Sequence, residues 1–324
     1  MIVRNVAAIV KAERVAATLG AAVLGMATVA ACSSGGSSSG TASGAAPAGG
    51  AAMPASGRAT MAPVVTEATP APSGYWTKER LEAAKEWQAD PVPSESASAS
   101  AGDEPAPEAK QNAKTLRIGA IFEHDSSGNH FCSASVVDSK AGNVIVTAAH
   151  CVNGGRGGND KSDIVFVPGY SDGNAPFGEW TPERYVMDSR WVSDHNEHYD
   201  AAFVVLKQYE GKSIQEVLGG NKIAFNSGFR HYVRVTGYPS SYDAPITCGN
   251  WTSESDGYLE FQCGGYYGGT SGSPWITGYD AQTRTGTVVG ILGGYLEGGS
   301  VHNISFSSYL GDDVEKLYDD ATGK

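Results

Sequence analysis

Beyond residue 115 the chain alternates short apolar runs with glycine, proline, aspartate and asparagine. Residues 116–122, 135–138, 144–147, 164–167, 201–206, 232–237, 259–262 and 287–292 are rich in valine, isoleucine, leucine and aromatic residues. Their length and composition predict β-strands. So many short strands with frequent turns predict an all-β sandwich or barrel. The last apolar pattern differs: Leu310, Val314, Leu317 and Tyr318 share one face at helical spacing and predict a closing helix over 310–320.

Before residue 114 this patterning is missing. From 33 to 113 alanine, serine, glycine and proline dominate, with almost no large aliphatic side chains. Such a segment cannot bury enough apolar surface to offset its ordering entropy, so 32–113 reads as a disordered tether with a reach of roughly 50 Å. One island, 76–87, is rich in helix formers, and Thr77 can cap its start. It predicts a short helix, either isolated and marginal or a pro-segment docked on the folded part. Residues 15–31 form an uncharged apolar run behind Arg4, Lys11 and Arg14, the pattern of an export signal peptide over 1–31. The run is shorter than the ~20 residues of a membrane-spanning helix. One folded unit, 114–324, is therefore expected.

Charge and cysteines narrow the setting. The net charge is −12, and removing a leader of net +2 leaves about −14, which argues against nucleic acid as a partner and against anionic lipid surfaces. Five cysteines are present, an odd number for an exported chain. Val29-Ala30-Ala31-Cys32 resembles the lipobox of bacterial lipoproteins, which implies a lipidated Cys32 as the mature N-terminus and a membrane contact through that anchor alone. The alternative is an ordinary secretory signal with a chance cysteine. Assigning Cys32 to lipid leaves four cysteines for two disulfides, and disulfides imply an extracytoplasmic compartment.

Three segments carry chemistry. Ser271 lies in Gly269-Thr270-Ser271-Gly272-Ser273-Pro274, and His150 lies about 120 residues upstream in Thr147-Ala148-Ala149-His150-Cys151. A serine hydroxyl needs a base to take its proton and backbone donors to hold an oxyanion. The flanking glycines allow a sharp turn that aims the N–H groups of Gly269 and Ser271 at one point. Asp200 opens the apolar run 201–206, where a buried carboxylate can orient the histidine. Asp188 and Asp194 are the alternatives.

In the order His, Asp, Ser these segments resemble the chymotrypsin-like serine proteases over roughly 115–321. The resemblance implies two β-barrels with the active site in the cleft between them and a C-terminal helix. It also implies His150 as general base, Asp200 as its orienting acid, Ser271 as nucleophile, Gly269 and Ser271 as oxyanion hole, and no cofactor or metal. The family commonly staples the positions of Cys132 and Cys151, and Cys248 and Cys263 would close a second loop. The expected activity is endopeptidase cleavage of a protein or peptide substrate by a monomer. The competing reading is a protease fold kept for binding without catalysis. An esterase on another fold is disfavoured by the motif order.

Two departures from the family stand out. Gly293 occupies the place of a serine that usually hydrogen-bonds the aspartate, so that support must come from elsewhere or be weaker. Thr270 replaces the aspartate that pairs with a freed N-terminus in many animal members, so zymogen-style activation is not expected. At the base of the specificity pocket Gly265 offers no carboxylate for Arg or Lys. Gly293, Gly294 and Tyr295 are expected to form its wall, with Glu297, His302 and Asn303 as further liners. His195 and His198 could together suggest a metal site, or they are surface-loop residues leading into the Asp200 strand.

Overall fold

Strands whose side chains are buried on both faces organise the molecule. In the computed structural model, residues 62–86, 106–111, 116–156, 158, 161–295 and 303–323 are described, all within the unit Gly57–Lys324. The leader, Cys32, most of the expected tether, Glu297 and His302 lie outside the described residues.

In chain order, the N-terminal elements are β1 (Pro63–Glu67), α1 (Lys78–Ala83), β2 (Lys85–Glu86) and β3 (Lys110–Gln111). The first barrel follows with β4 (Ile118–Asp125), β5 (Gly128–Val137), β6 (Val144–Thr147), β7 (Ser162–Pro168), β8 (Pro182–Asp188), α2 (Ser189–Asp194) and β9 (Ala202–Leu206). After α3 (Ile214–Leu218) the second barrel contains β10 (Lys222–Ile223), β11 (Tyr232–Gly237), β12 (Ile246–Ser255), β13 (Tyr258–Gln262), β14 (Pro274–Asp280), β15 (Thr285–Ile291) and β16 (Ile304–Ser307). The chain closes with α4 (Asp312–Thr322).

The first sheet has the order β1-β8-β9-β6-β5-β4-β7, and a bridge between Phe166 and Trp180 links β7 back toward β8. The second has the order β10-β15-β14-β11-β12-β13-β16, with Leu292 bridging to Ser307. This is the chymotrypsin-like double β-barrel with a C-terminal helix.

Residue parity explains why β6 and β9 read as continuous apolar runs. Ile145, Ala202 and Val204 point into the first barrel, while Val144, Val146, Phe203 and Val205 join a layer outside it. That outer layer includes Tyr238, Ile276 and Val288 of the second barrel and Val314, Leu317 and Tyr318 of α4. It glues the barrels and the closing helix together. The second barrel has its own core around Val235, Leu259, Phe261 and Trp275. Among the described residues no helix is long and apolar enough to cross a membrane.

The tether expected over 32–113 does not hold for 62–86 or 106–111. Strand β1 adds to the edge of β8 in antiparallel register from Pro63↔Asp188 to Glu67↔Arg184. Trp76 and Leu81 are buried in the outer layer, and the Trp76 indole donates to the Asp163 carbonyl at 2.6 Å. The island expected as a helix over 76–87 is helical only over α1, capped by Thr77 as its sequence suggests, and then turns into β2. The physical reason is that a preformed sheet edge supplies backbone hydrogen bonds. Two or three apolar anchors then suffice where composition alone cannot build a core.

Candidate active site

Two disulfides brace the region as expected: Cys132–Cys151 and Cys248–Cys263. Cys151 directly follows His150, so the first bridge pins the short 3-10 turn Ala149–Cys151 to β5. His150 sits at the end of the wholly buried strand β6. Its Nδ1 lies 2.7 Å from Asp200 Oδ2, and its backbone N–H donates to Asp200 Oδ1 at 2.9 Å.

Asp200 is fully buried, between the 3-10 turn Glu197–Tyr199 and β9. The support missing at Gly293 comes one residue later: the Gly294 N–H donates to Asp200 Oδ2 at 2.7 Å. Gly293 itself donates to the Phe306 carbonyl. Burial alone would push the Asp200 carboxyl up, but His150 and the two backbone donors outweigh it and hold the group below its ordinary value. The alternatives are otherwise engaged. Asp188 caps α2 and pairs with Arg190 at 2.6 Å, and Asp194 accepts from Ser193.

Ser271 lies in a loop that both barrels hold. Its carbonyl accepts from the Ser133 N–H of β5 at 2.7 Å, and the Gly272 N–H donates to the Leu292 carbonyl beyond β15 at 2.7 Å. Gly269 and Gly272 both have positive φ, +89° and +81°. A Cβ on Gly269 would lie 2.2 Å from the Phe131 ring, and one on Gly272 would lie 2.1 Å from the Ser133 carbonyl oxygen and 3.1 Å from the Ala148 nitrogen. Both positions therefore demand glycine. They also place the Ser271 loop against Ala148, just beyond the end of β6 and two residues before His150. Among the described residues no group takes up the N–H of Gly269 or of Ser271.

Gly265 (φ +94°) packs near Ala109 and Ile246, so the N-terminal segment 106–111 backs the expected pocket base. Ala109 donates to, and Pro107 accepts from, the backbone of Gly264. Tyr295 stacks on Tyr258 with centroids 4.0 Å apart, and Asn303 accepts from the Cys263 N–H. His195 lies against Trp191, whereas His198 stacks on Tyr258, so different aromatic partners hold the two rings. The sulfurs of Cys132 and Cys151 cluster with a His150 nitrogen, but both are spent in the disulfide.

No sequence pattern pointed to Glu123. It is fully buried, with Lys161 Nζ 3.4 Å from its Oε1, and burial pushes its carboxyl up to about 7, with Lys161 opposing and Asp125 adding to the shift. Its signal in the sequence was an acid directly after the apolar run 118–122 and within β4.

No family model and no curated protein sequence matches the chain. Solved structures do match. The protease Anisep from Arthrobacter nicotinovorans is 26% identical, with 67% of this chain and 100% of that chain covered and a TM-score of 0.61. The thermostable serine protease AL20 from an extremophilic microorganism is 27% identical, with 66% and 100% covered and a TM-score of 0.60. The chain shares the chymotrypsin-like serine protease fold with these proteases. A Glu endopeptidase, 17% identical with a TM-score of 0.55 over 69% of this chain and 99% of that one, shares the fold. In this chain a glycine N–H, that of Gly294, supplies the Asp200 contact that was expected from a serine hydroxyl.

Proposed function

We propose that this protein is a serine endopeptidase that hydrolyses peptide bonds through an acyl-enzyme formed on Ser271. The observation that carries the reading is the buried His150–Asp200 pair beside a glycine-flanked serine. Asp200 orients the imidazole so that Nε2 takes the Ser271 proton as Oγ attacks the carbonyl carbon. The N–H groups of Gly269 and Ser271 receive the oxyanion. His150 then returns the proton to the leaving amine, and water repeats the cycle on the ester. The reading of a binding protein without catalysis leaned on Gly293, and the Gly294 donor removes that support.

Two disulfides favour work outside the cytoplasm. We assign residues 1–31 to an export signal and Cys32 to a lipid anchor, with the enzyme acting as a monomer on the outer face of the membrane. Mass spectrometry of the mature N-terminus tests the anchor, and an unmodified terminus downstream of Cys32 overturns it.

The chemistry is tested with a fluorophosphonate probe. Covalent labelling of Ser271, abolished in Ser271→Ala while the circular dichroism spectrum is kept, is expected together with casein hydrolysis. A correctly folded protein with neither labelling nor hydrolysis overturns the enzymatic reading.

A further inference from the structure

Five tryptophans are described, and four of them, Trp76, Trp180, Trp191 and Trp275, are at most 5% exposed. Trp251 is 52% exposed, and Tyr232, directly opposite it across β11 and β12, is 53% exposed. Two large aromatics side by side in water mark a surface that something else covers. The Arg230 guanidinium sits over the Trp251 ring at 5.0 Å, and Arg234 sits over Tyr279 at 4.6 Å. A groove of about 400 Å³ continues the face past Gly249, where the Tyr232 hydroxyl lies 2.8 Å from the position of a Cβ. Arg234, Lys110, Gln111 and Thr247 line it, with Glu108 its one carboxylate.

Strand alternation sharpens the charge pattern. Val233, Val235, Ile246 and Cys248 point into the second core. On the other side of these strands Tyr232 and Arg234, and Thr247, Gly249 and Trp251, carry no acid, in a chain with 35 acidic and 23 basic residues; Glu254 and Glu260 lie farther along, beside Ser253.

We propose that this face docks an acidic peptide segment of a protein partner. On the endopeptidase reading above, on which this part of the inference rests, that partner is the substrate. Local charge is the reverse of the molecule's, so carboxylates that the rest of the surface repels are held here. The guanidiniums, fixed on aromatic faces, are set to receive carboxylates in paired hydrogen bonds. Trp, Tyr and Arg are also the residues that most often anchor protein interfaces. A sugar polymer fits less well. Arg230 already covers a face of Trp251, and Tyr232 meets that ring at 75°, so no flat platform is left for a pyranose.

The test measures binding of a fluorescein-labelled Glu-Tyr-Glu-Asp-Glu-Phe-Glu peptide to full-length Ser271→Ala protein by anisotropy. Salt-sensitive binding, weakened about tenfold by adding either Trp251→Ala or Arg234→Glu, is expected. In the active protein the same two changes should lower kcat/KM for an acid-tailed protein substrate and leave cleavage of a short neutral peptide ester unchanged. Absence of peptide binding, equal binding by the variants, or binding of polygalacturonate in place of the peptide overturns the proposal. Variant-sensitive peptide binding by a protein that cleaves nothing upholds the docking face and defeats the endopeptidase reading instead.

Discussion

Asp200 has two oxygens and three converging donors: the His150 ring, the His150 N–H and the Gly294 N–H. An asparagine there has one acceptor oxygen, and its amide would face a donor wherever it points. It would also select the wrong imidazole tautomer. Asp200→Asn is therefore expected to lower kcat about 10⁴-fold on a short peptide ester with KM little changed. A loss of less than about tenfold would mean that Asp200 does not orient the base. Glu123 makes the second residue-scale prediction, through pH. Its folded-state carboxyl sits at about 7, above its ordinary value of 4.5. Between those values the folded state holds a proton that the unfolded state has lost, so this group's contribution makes stability fall as pH rises through the window. The difference is on the order of 3 kcal/mol. Urea denaturation of Glu123→Gln should show that slope flattened and the protein stabilised near pH 8 relative to the parent, with Lys161 still paired to Asp125 at 2.8 Å. An unchanged slope would show that Glu123 does not titrate in that range.

At the scale of elements, the N-terminal segment depends on one side chain. Trp76 contacts Phe122 and Tyr75 and hydrogen-bonds Asp163, whereas α1 has only six residues and is marginal alone. Trp76→Ala is expected to release residues 68–86 to limited proteolysis while the two barrels stay resistant, because local opening costs less than global unfolding. Whole-chain digestion at unchanged protease dose would contradict this. The same contrast explains what the sequence made legible. His150, Asp200 and Ser271 were readable because each is attached to a local signal: the strand 144–147, the strand 201–206 and a pair of glycines. Strands β6 and β11 were readable from their apolar runs to the residue, and α4 from its period. Strand β12 was missed because alternate positions face water and carry Thr247, Gly249 and Trp251, while its two-strand partnership is invisible locally. The Gly294 donor and the docking of β1 were missed for a related reason. A backbone N–H and a sheet edge have no side-chain signature.

At the scale of the whole molecule, the domain does not begin near residue 114. Strand β1 extends the edge of the first sheet, and Pro107 and Ala109 clamp Gly264, seven residues before Ser271. A protein starting at residue 62 should melt like the full chain and keep its activity. One starting at 116 should melt lower and lose most of its kcat, since Gly265 loses its Ala109 backing. Differential scanning calorimetry with ester kinetics separates the two. Equal behaviour would return 62–111 to the status of a dispensable tether.

Strand β8 accepts β1 on its edge and α4 on its face, with Arg184 donating to the Ala321 carbonyl 137 residues later. A chain that is synthesised or exported from its N-terminus presents β1 long before β8, and β8 long before α4. While the second barrel is still emerging, β8 can already pair with β1 but lacks α4, the last of its neighbours to arrive. These contacts join residues far apart in sequence, and such contacts form slowly. The geometry delays final locking until the last turn of α4 is delivered. Since the Ser271 loop is held by backbone bonds from both barrels, a partly delivered chain does not fix that loop, and on the endopeptidase reading proposed above the peptide bonds of neighbouring unfolded chains are spared until then.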